Sequence, residues 1–125
     1  MVQKRVLITD VDNTLLDWQD IWYQTFSAMM DTVLNISGVD PETLYAEASV
    51  IHQKYGTSEY SHLLEELPSL RARYGDDILT VMTPAIDAFR ETRRRVLALY
   101  PTVADPLAAL KEKGVRIAAF TESKA

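Results

Sequence analysis

The sequence predicts an α/β fold, a partial doubly wound parallel sheet with an all-helical segment inserted into it. Three observations carry this. A short apolar run, Val6-Leu7-Ile8, β-branched at both ends, stops at two acids, Asp10 and Asp12. A second apolar run, Val115 to Phe120, stops at Thr121. Between them, residues 15 to about 99 carry helix starts, helix stops and three-to-four apolar spacing, with no convincing strand.

The first strand is read over Val2–Thr9 and is expected to be buried. Asp17 is a good N-cap, and Asp20 stands at a capping-box position. The helix that follows runs to about Leu34, with Trp18, Ile21, Trp22, Phe26, Met29, Met30 and Val33 along one apolar stripe. Trp22 and Phe26 are read as packing, whereas Trp18 lies close to the acidic loop. Gly38 breaks the pattern, and Asp40-Pro41 restarts it as N-cap plus proline at the first helical position. That second helix, about Pro41 to Tyr55, points Leu44, Tyr45, Ala48 and Ile51 inward and ends at Gly56.

A third helix is expected from near Ser58, ended or kinked at Pro68, with a short piece from Ser69 to Tyr74. Thr83-Pro84 reads as another cap-and-proline start, or as a kink in a helix begun near Asp77. Ile86, Phe89, Val96 and Leu97 form its inner side. After Tyr100, Asp105-Pro106 opens a further helix that ends at Gly114, and Val115 to Phe120 is a second buried strand. The two strands are expected to be parallel neighbours joined by a crossover.

At 125 residues, 47% apolar and 25% charged, the chain is ordered rather than disordered, with one domain or little more. It has no cysteine, which excludes disulfides and thiolate metal sites, and two histidines, too few for a His-rich zinc site. The short apolar run after Lys4 and Arg5 is neither a signal peptide nor a membrane span, so a cytoplasmic protein without a membrane partner is expected. The net charge of -5 argues against a nucleic-acid partner.

Asp10 and Asp12 are the candidate chemistry. Ligands in open α/β sheets bind beyond the carboxyl ends of strands, where these acids fall. If the chain is still extended there, both carboxylates share a side, and they repel unless a cation or shared proton lies between them. Such oxygen ligands suit Mg²⁺, which binds through few carboxylates, water and phosphate. Taken alone, the D-x-D-x-T pattern also fits a capped turn.

Ile8-Thr9-Asp10-Val11-Asp12-Asn13-Thr14-Leu15-Leu16-Asp17 resembles the first motif of the haloacid dehalogenase-like hydrolase superfamily, mostly phosphatases with a Rossmann-like core. Tyr100-Pro101-Thr102-Val103, followed by Leu107, Leu110, Lys111 and Gly114, resembles the family's return into its core, with Thr102 where glycine is usual. The resemblance implies that residues 1–14 and 100–125 form an incomplete hydrolase core and that residues 15–99 form a helical cap over the strand ends. It implies Asp10 as nucleophile and Mg²⁺ ligand. Asp12 would be the acid/base, with its backbone carbonyl on the metal. Thr14 would support the loop, and Thr121, as the second motif, would hold a phosphoryl oxygen. Glu122 stands where asparagine is frequent, and its charge disfavours a phosphate unless it points away.

The implied function is Mg²⁺-dependent phosphomonoester hydrolysis of a small phosphorylated substrate through an aspartyl-phosphate. Asp12 favours this over dehalogenation, because the family's dehalogenases carry tyrosine there. The alternatives are a 2-haloacid dehalogenase or phosphotransferase of the same fold, or a catalytically silent binding or regulatory module. The family's third and fourth motifs are not found up to residue 125. The chain is therefore expected to be the N-terminal part of a longer protein, with the rest of the core in the same or another chain. By itself it is expected to show little or no turnover. Lys124 lies too close to the second strand for the third-motif role. Arg90, Arg93, Arg94 and Arg95 are read as a solvated helix face. Asp76-Asp77, His52 and His62 are assigned no role.

Overall fold

The computed structural model describes residues 5–122, so the residue 2–4 portion of the expected first strand and Lys124 lie outside the described residues. It is a mixed α/β fold, mostly helical, with one small parallel sheet. The chain divides into two compact units, one of residues 1–24 with 93–125 and one of residues 25–92. The division falls within α1 (Trp18–Ser37) and α6 (Thr83–Val96). Among the described residues no helix is long and apolar enough to cross a membrane.

In the first unit, β1 (Val6–Asp10) pairs in parallel with β2 (Arg116–Phe120), in a register that sets Val6 against Arg116 and Asp10 against Phe120. Alternation puts Val6, Ile8 and Asp10 on one face with Arg116, Ala118 and Phe120. Helix α7 (Ala104–Glu112) precedes β2, and the turn after its C-cap Lys113 passes through Gly114, whose φ of 79° suits glycine. The strands are not buried as the apolar runs suggest: Val6 is 55%, Ile8 72% and Phe120 62% exposed. Among the described residues the two strands have no further strand neighbours, and a parallel sheet normally needs cover on both faces. Helix α7 also starts earlier than Asp105-Pro106. Val103 precedes it, and no side chain caps it. Pro106 fits within the first turn because the N–H it lacks would have no intrahelical partner there.

In the second unit, α2 (Pro41–Tyr55) follows its expected signals. The Asp40 carboxylate accepts the Thr43 N–H at 2.9 Å, and Gly56 closes the helix at φ 65°. The third helix is shorter than its apolar pattern. It is one turn, α3 (Leu63–Glu66), because the Thr57 hydroxyl accepts the Glu59 N–H and holds the preceding residues as a turn. Pro68 opens α4 (Pro68–Tyr74), where proline at the first helical position costs no hydrogen bond. A 3-10 turn (Gly75–Asp77) and α5 (Ile78–Val81) lead into α6. Thr83 does not cap α6. Its hydroxyl donates back to the Leu79 carbonyl at 3.0 Å, so α5 and α6 nearly form one helix, interrupted at Met82.

The core of this second unit is apolar. Met30, Val33, Leu44, Leu67, Leu70 and Met82 are fully buried, with Ala48, Ile51, Leu63, Leu64 and Ile78 packed among them. Tyr45, at 40% exposure, is not part of it. Ala85 and Thr92 are the buried side chains of α6, whereas Leu97, expected inward, is 49% exposed.

Candidate functional site

The site is built on the sheet's register. Asp10 ends β1 and pairs with Phe120, so Thr121 leaves β2 beside the first residues of the acidic loop. The loop turns at once: the N–H groups of Thr14 and Leu15 both donate to the Val11 carbonyl, at 3.2 and 2.9 Å. Asn13 takes the left-handed conformation, φ 56°, which asparagine tolerates better than most residues. Its side-chain oxygen then accepts the Trp18 N–H at 3.1 Å, tying the loop to the first turn of α1. Asp12 and Leu16 form an isolated parallel bridge. Asp17 caps α1 by accepting the Asp20 N–H at 3.0 Å, but the Asp20 carboxylate accepts from Gln24 at 2.7 Å instead of completing a capping box.

Two side-chain hydrogen bonds bring the four residues singled out in the sequence together. Thr14 Oγ1 donates to Asp10 Oδ2 at 3.0 Å, and Thr121 Oγ1 donates to Asp12 Oδ2 at 3.3 Å across 109 positions of sequence. Asp10, Thr14 and Thr121 are exposed and Asp12 is half-buried, so solutes reach the carboxylates. The Tyr100 N–H donates to the Leu15 carbonyl at 2.7 Å, which ties the returning chain to the same loop. Sequence reading missed that contact, because a backbone bond between distant residues leaves no mark in side-chain pattern.

The acidic pair suits part of a Mg²⁺ shell, since that ion keeps water and accepts few carboxylates. Among the described residues no group of three or more His, Asp or Glu side chains converges to hold a metal. Beside the loop, Asp17, Gln19, Asp20, Trp22 and Tyr23 line an open concavity of about 440 Å³. The rings of Trp18 and Trp22 stack at 6.3 Å, the i, i+4 contact expected on one helix face.

The residues left unassigned sit elsewhere. Asp76 is exposed and lies 3.9 Å from Arg71, and Arg93, Arg94 and Arg95 are exposed at the end of α6. His62 bonds Glu65 at 2.6 Å. His52 lies 5.6 Å from the Phe26 ring with its Nε2 buried and unbonded, and burial holds its pKa below the ordinary imidazole value. A tyrosine cluster unforeseen in the sequence joins the end of α2 to α3. The Tyr55 and Tyr60 rings stack at 3.8 Å and both hydroxyls donate to Glu66 Oε1, which lowers the Glu66 pKa, while the neighbouring Tyr55 hydroxyl and then Glu66 raise that of Tyr60. No protein-family model matches this sequence, and no curated protein matches it either.

Proposed function

We propose that this chain carries the nucleophile and the acid/base of a haloacid dehalogenase-like phosphatase, with a Rossmann-like core and a helical cap. The reaction would be Mg²⁺-dependent hydrolysis of a small phosphomonoester. The observation that carries this reading is the meeting of Asp10, Asp12, Thr14 and Thr121 at the carboxyl ends of two parallel strands.

In this reading an Asp10 oxygen attacks phosphorus in line. The phosphorus–oxygen bond to the leaving group breaks as Asp12 delivers a proton to that oxygen, and the phosphoryl group rests on Asp10. Asp12, now a carboxylate, takes a proton from water, which attacks phosphorus and frees Asp10. The hydrogen bond from Thr14 fixes the orientation of Asp10. The Thr121 hydroxyl lies beside Asp12; once Asp12 carries a proton it can donate to Thr121, whose own O–H is then free to donate to a phosphoryl oxygen. Asp10 and Asp12 would hold the Mg²⁺ ion, which when bound offsets the repulsion between the carboxylate nucleophile and an anionic substrate.

The test is phosphate release by the full-length protein from a panel of phosphate esters, with 2-haloacids as the competing substrates and with Mg²⁺ present or removed. The expected outcome is Mg²⁺-dependent phosphate release that Asp10→Asn abolishes and Asp12→Asn reduces by about 10² to 10⁴. Halide release would select the dehalogenase alternative. Release of neither product would select a silent binding module, the reading that Glu122 beside Thr121 favours.

A further inference from the structure

We infer that Asn13 is a positioning residue of the acidic loop: its left-handed backbone and its side-chain amide together set the Asp12 carboxylate on Thr121 and the Thr14 hydroxyl on Asp10. The consequence for catalysis rests on the phosphatase reading, whereas the geometry that Asn13 sets does not.

The backbone comes first. β1 ends at Asp10 and α1 begins at Trp18, so the chain must reverse within a short loop. At Asn13 φ is 56°, the one positive value outside glycine among the described residues. A side chain in that conformation is strained, and glycine would fit with less strain if the turn alone mattered. What asparagine adds is an acceptor. Its Oδ1 takes the Trp18 N–H at 3.1 Å, a proton shared with the Leu16 carbonyl at the same distance. The first N–H groups of a helix have no intrahelical partner, so the bond satisfies one of them. It also fastens the apex of the loop to the first residue of a 20-residue helix.

Position links this anchor to the chemistry. One residue before Asn13, Asp12 accepts from Thr121 at 3.3 Å, and one residue after it, Thr14 donates to Asp10 at 3.0 Å. A rotation at Asn13 therefore disturbs both contacts together. The Asp12 contact is long for a bond between two oxygens, so a small shift breaks it. Asp10, Asn13 and Thr14 are all exposed, so close packing does not hold them and the hydrogen bonds must.

The test compares two variants of the full-length protein, each checked for folding by circular dichroism. Asn13→Gly keeps the turn and removes the amide, whereas Asn13→Asp keeps an acceptor oxygen and tolerance of the left-handed backbone. In crystal structures, Asn13→Gly is expected to lose the contact between Asp12 and Thr121 with the strand register unchanged, and Asn13→Asp to retain it. With p-nitrophenyl phosphate as substrate, Asn13→Gly is expected to lower kcat about ten- to a hundredfold and to leave KM within about twofold of the parent. Asn13→Asp is expected to restore kcat to within about threefold, while its added charge raises KM for an anionic substrate. A purely structural role would lower the melting temperature and leave kcat per folded molecule unchanged.

Parental loop geometry in Asn13→Gly overturns the inference, whether or not the parent turns over any ester. A displaced Asp12 with parental kcat overturns it as well, and leaves the phosphatase reading standing. A parent that turns over no ester, with the contact between Asp12 and Thr121 lost in Asn13→Gly, sinks that reading and leaves the positioning of the loop by Asn13 intact.

Discussion

The two units of this chain divide their properties unevenly. Among the described residues, every buried apolar side chain, from Met30 to Ala85, belongs to the helical unit. The α/β unit buries none fully, exposes Val6, Ile8 and Phe120, and carries all four residues of the candidate site. One unit thus holds the close packing that resists deformation. The other holds polar chemistry on a two-stranded sheet whose alignment depends on strand pairing and a few loop hydrogen bonds. The lesson is that stability and the candidate site are separable here, and mutations should sort accordingly.

The largest effect should come from the helical core. Leu67 is fully buried, and Leu67→Ala is expected to lower unfolding free energy by about 2–5 kcal/mol in denaturant titration. A much smaller loss would mean that the core is looser than its burial implies. Next is the cap of α2. Asp40→Ala removes the acceptor for the Thr43 N–H and should cost about 1 kcal/mol.

A smaller effect, visible as a pH dependence, should come from His52. Its pKa is depressed in the folded chain by burial, so the unfolded chain binds more protons between that lowered value and the ordinary one of about 6.5. Its contribution is complete above the ordinary value and is lost as pH falls towards the lowered one. His52→Phe, compared with the parent by thermal melts across that interval, should flatten the slope. A slope that persists would assign the acid sensitivity to another group.

The smallest effect should fall on the sheet. Ile8 is 72% exposed, and Ile8→Ala is expected to change stability by no more than about 0.5 kcal/mol. A loss near that of Leu67→Ala would show that the exposed face is covered in solution, which analytical ultracentrifugation of the parent chain would then reveal as association.

Local signals were legible wherever the physics is local. Asp40-Pro41 and Gly56 bound α2 because capping and left-handed backbone depend on only a few neighbouring residues. The tight turn at Asn13 follows equally from its own loop. The same reasoning misread Asp105-Pro106, since a cap-and-proline pair is equally at home inside a first turn, and of its two readings of Thr83-Pro84 the interrupted helix begun near Asp77 is the one that matches, because the hydroxyl of Thr83 found a nearer acceptor in Leu79.

What the sequence by itself determined is the set of strand tips, the acidic loop, the helical stretch between the strands, and therefore which side chains are available for chemistry. The tertiary structure decided which of these meet and which apolar residues are buried. Val6 and Ile8 are as apolar as Leu67 and Leu70, yet only the leucines are buried, because burial depends on neighbours supplied from elsewhere in the chain. Thr121 reaches Asp12 for the same kind of reason: a parallel register aligns residues 109 positions apart, and no local pattern encodes that register.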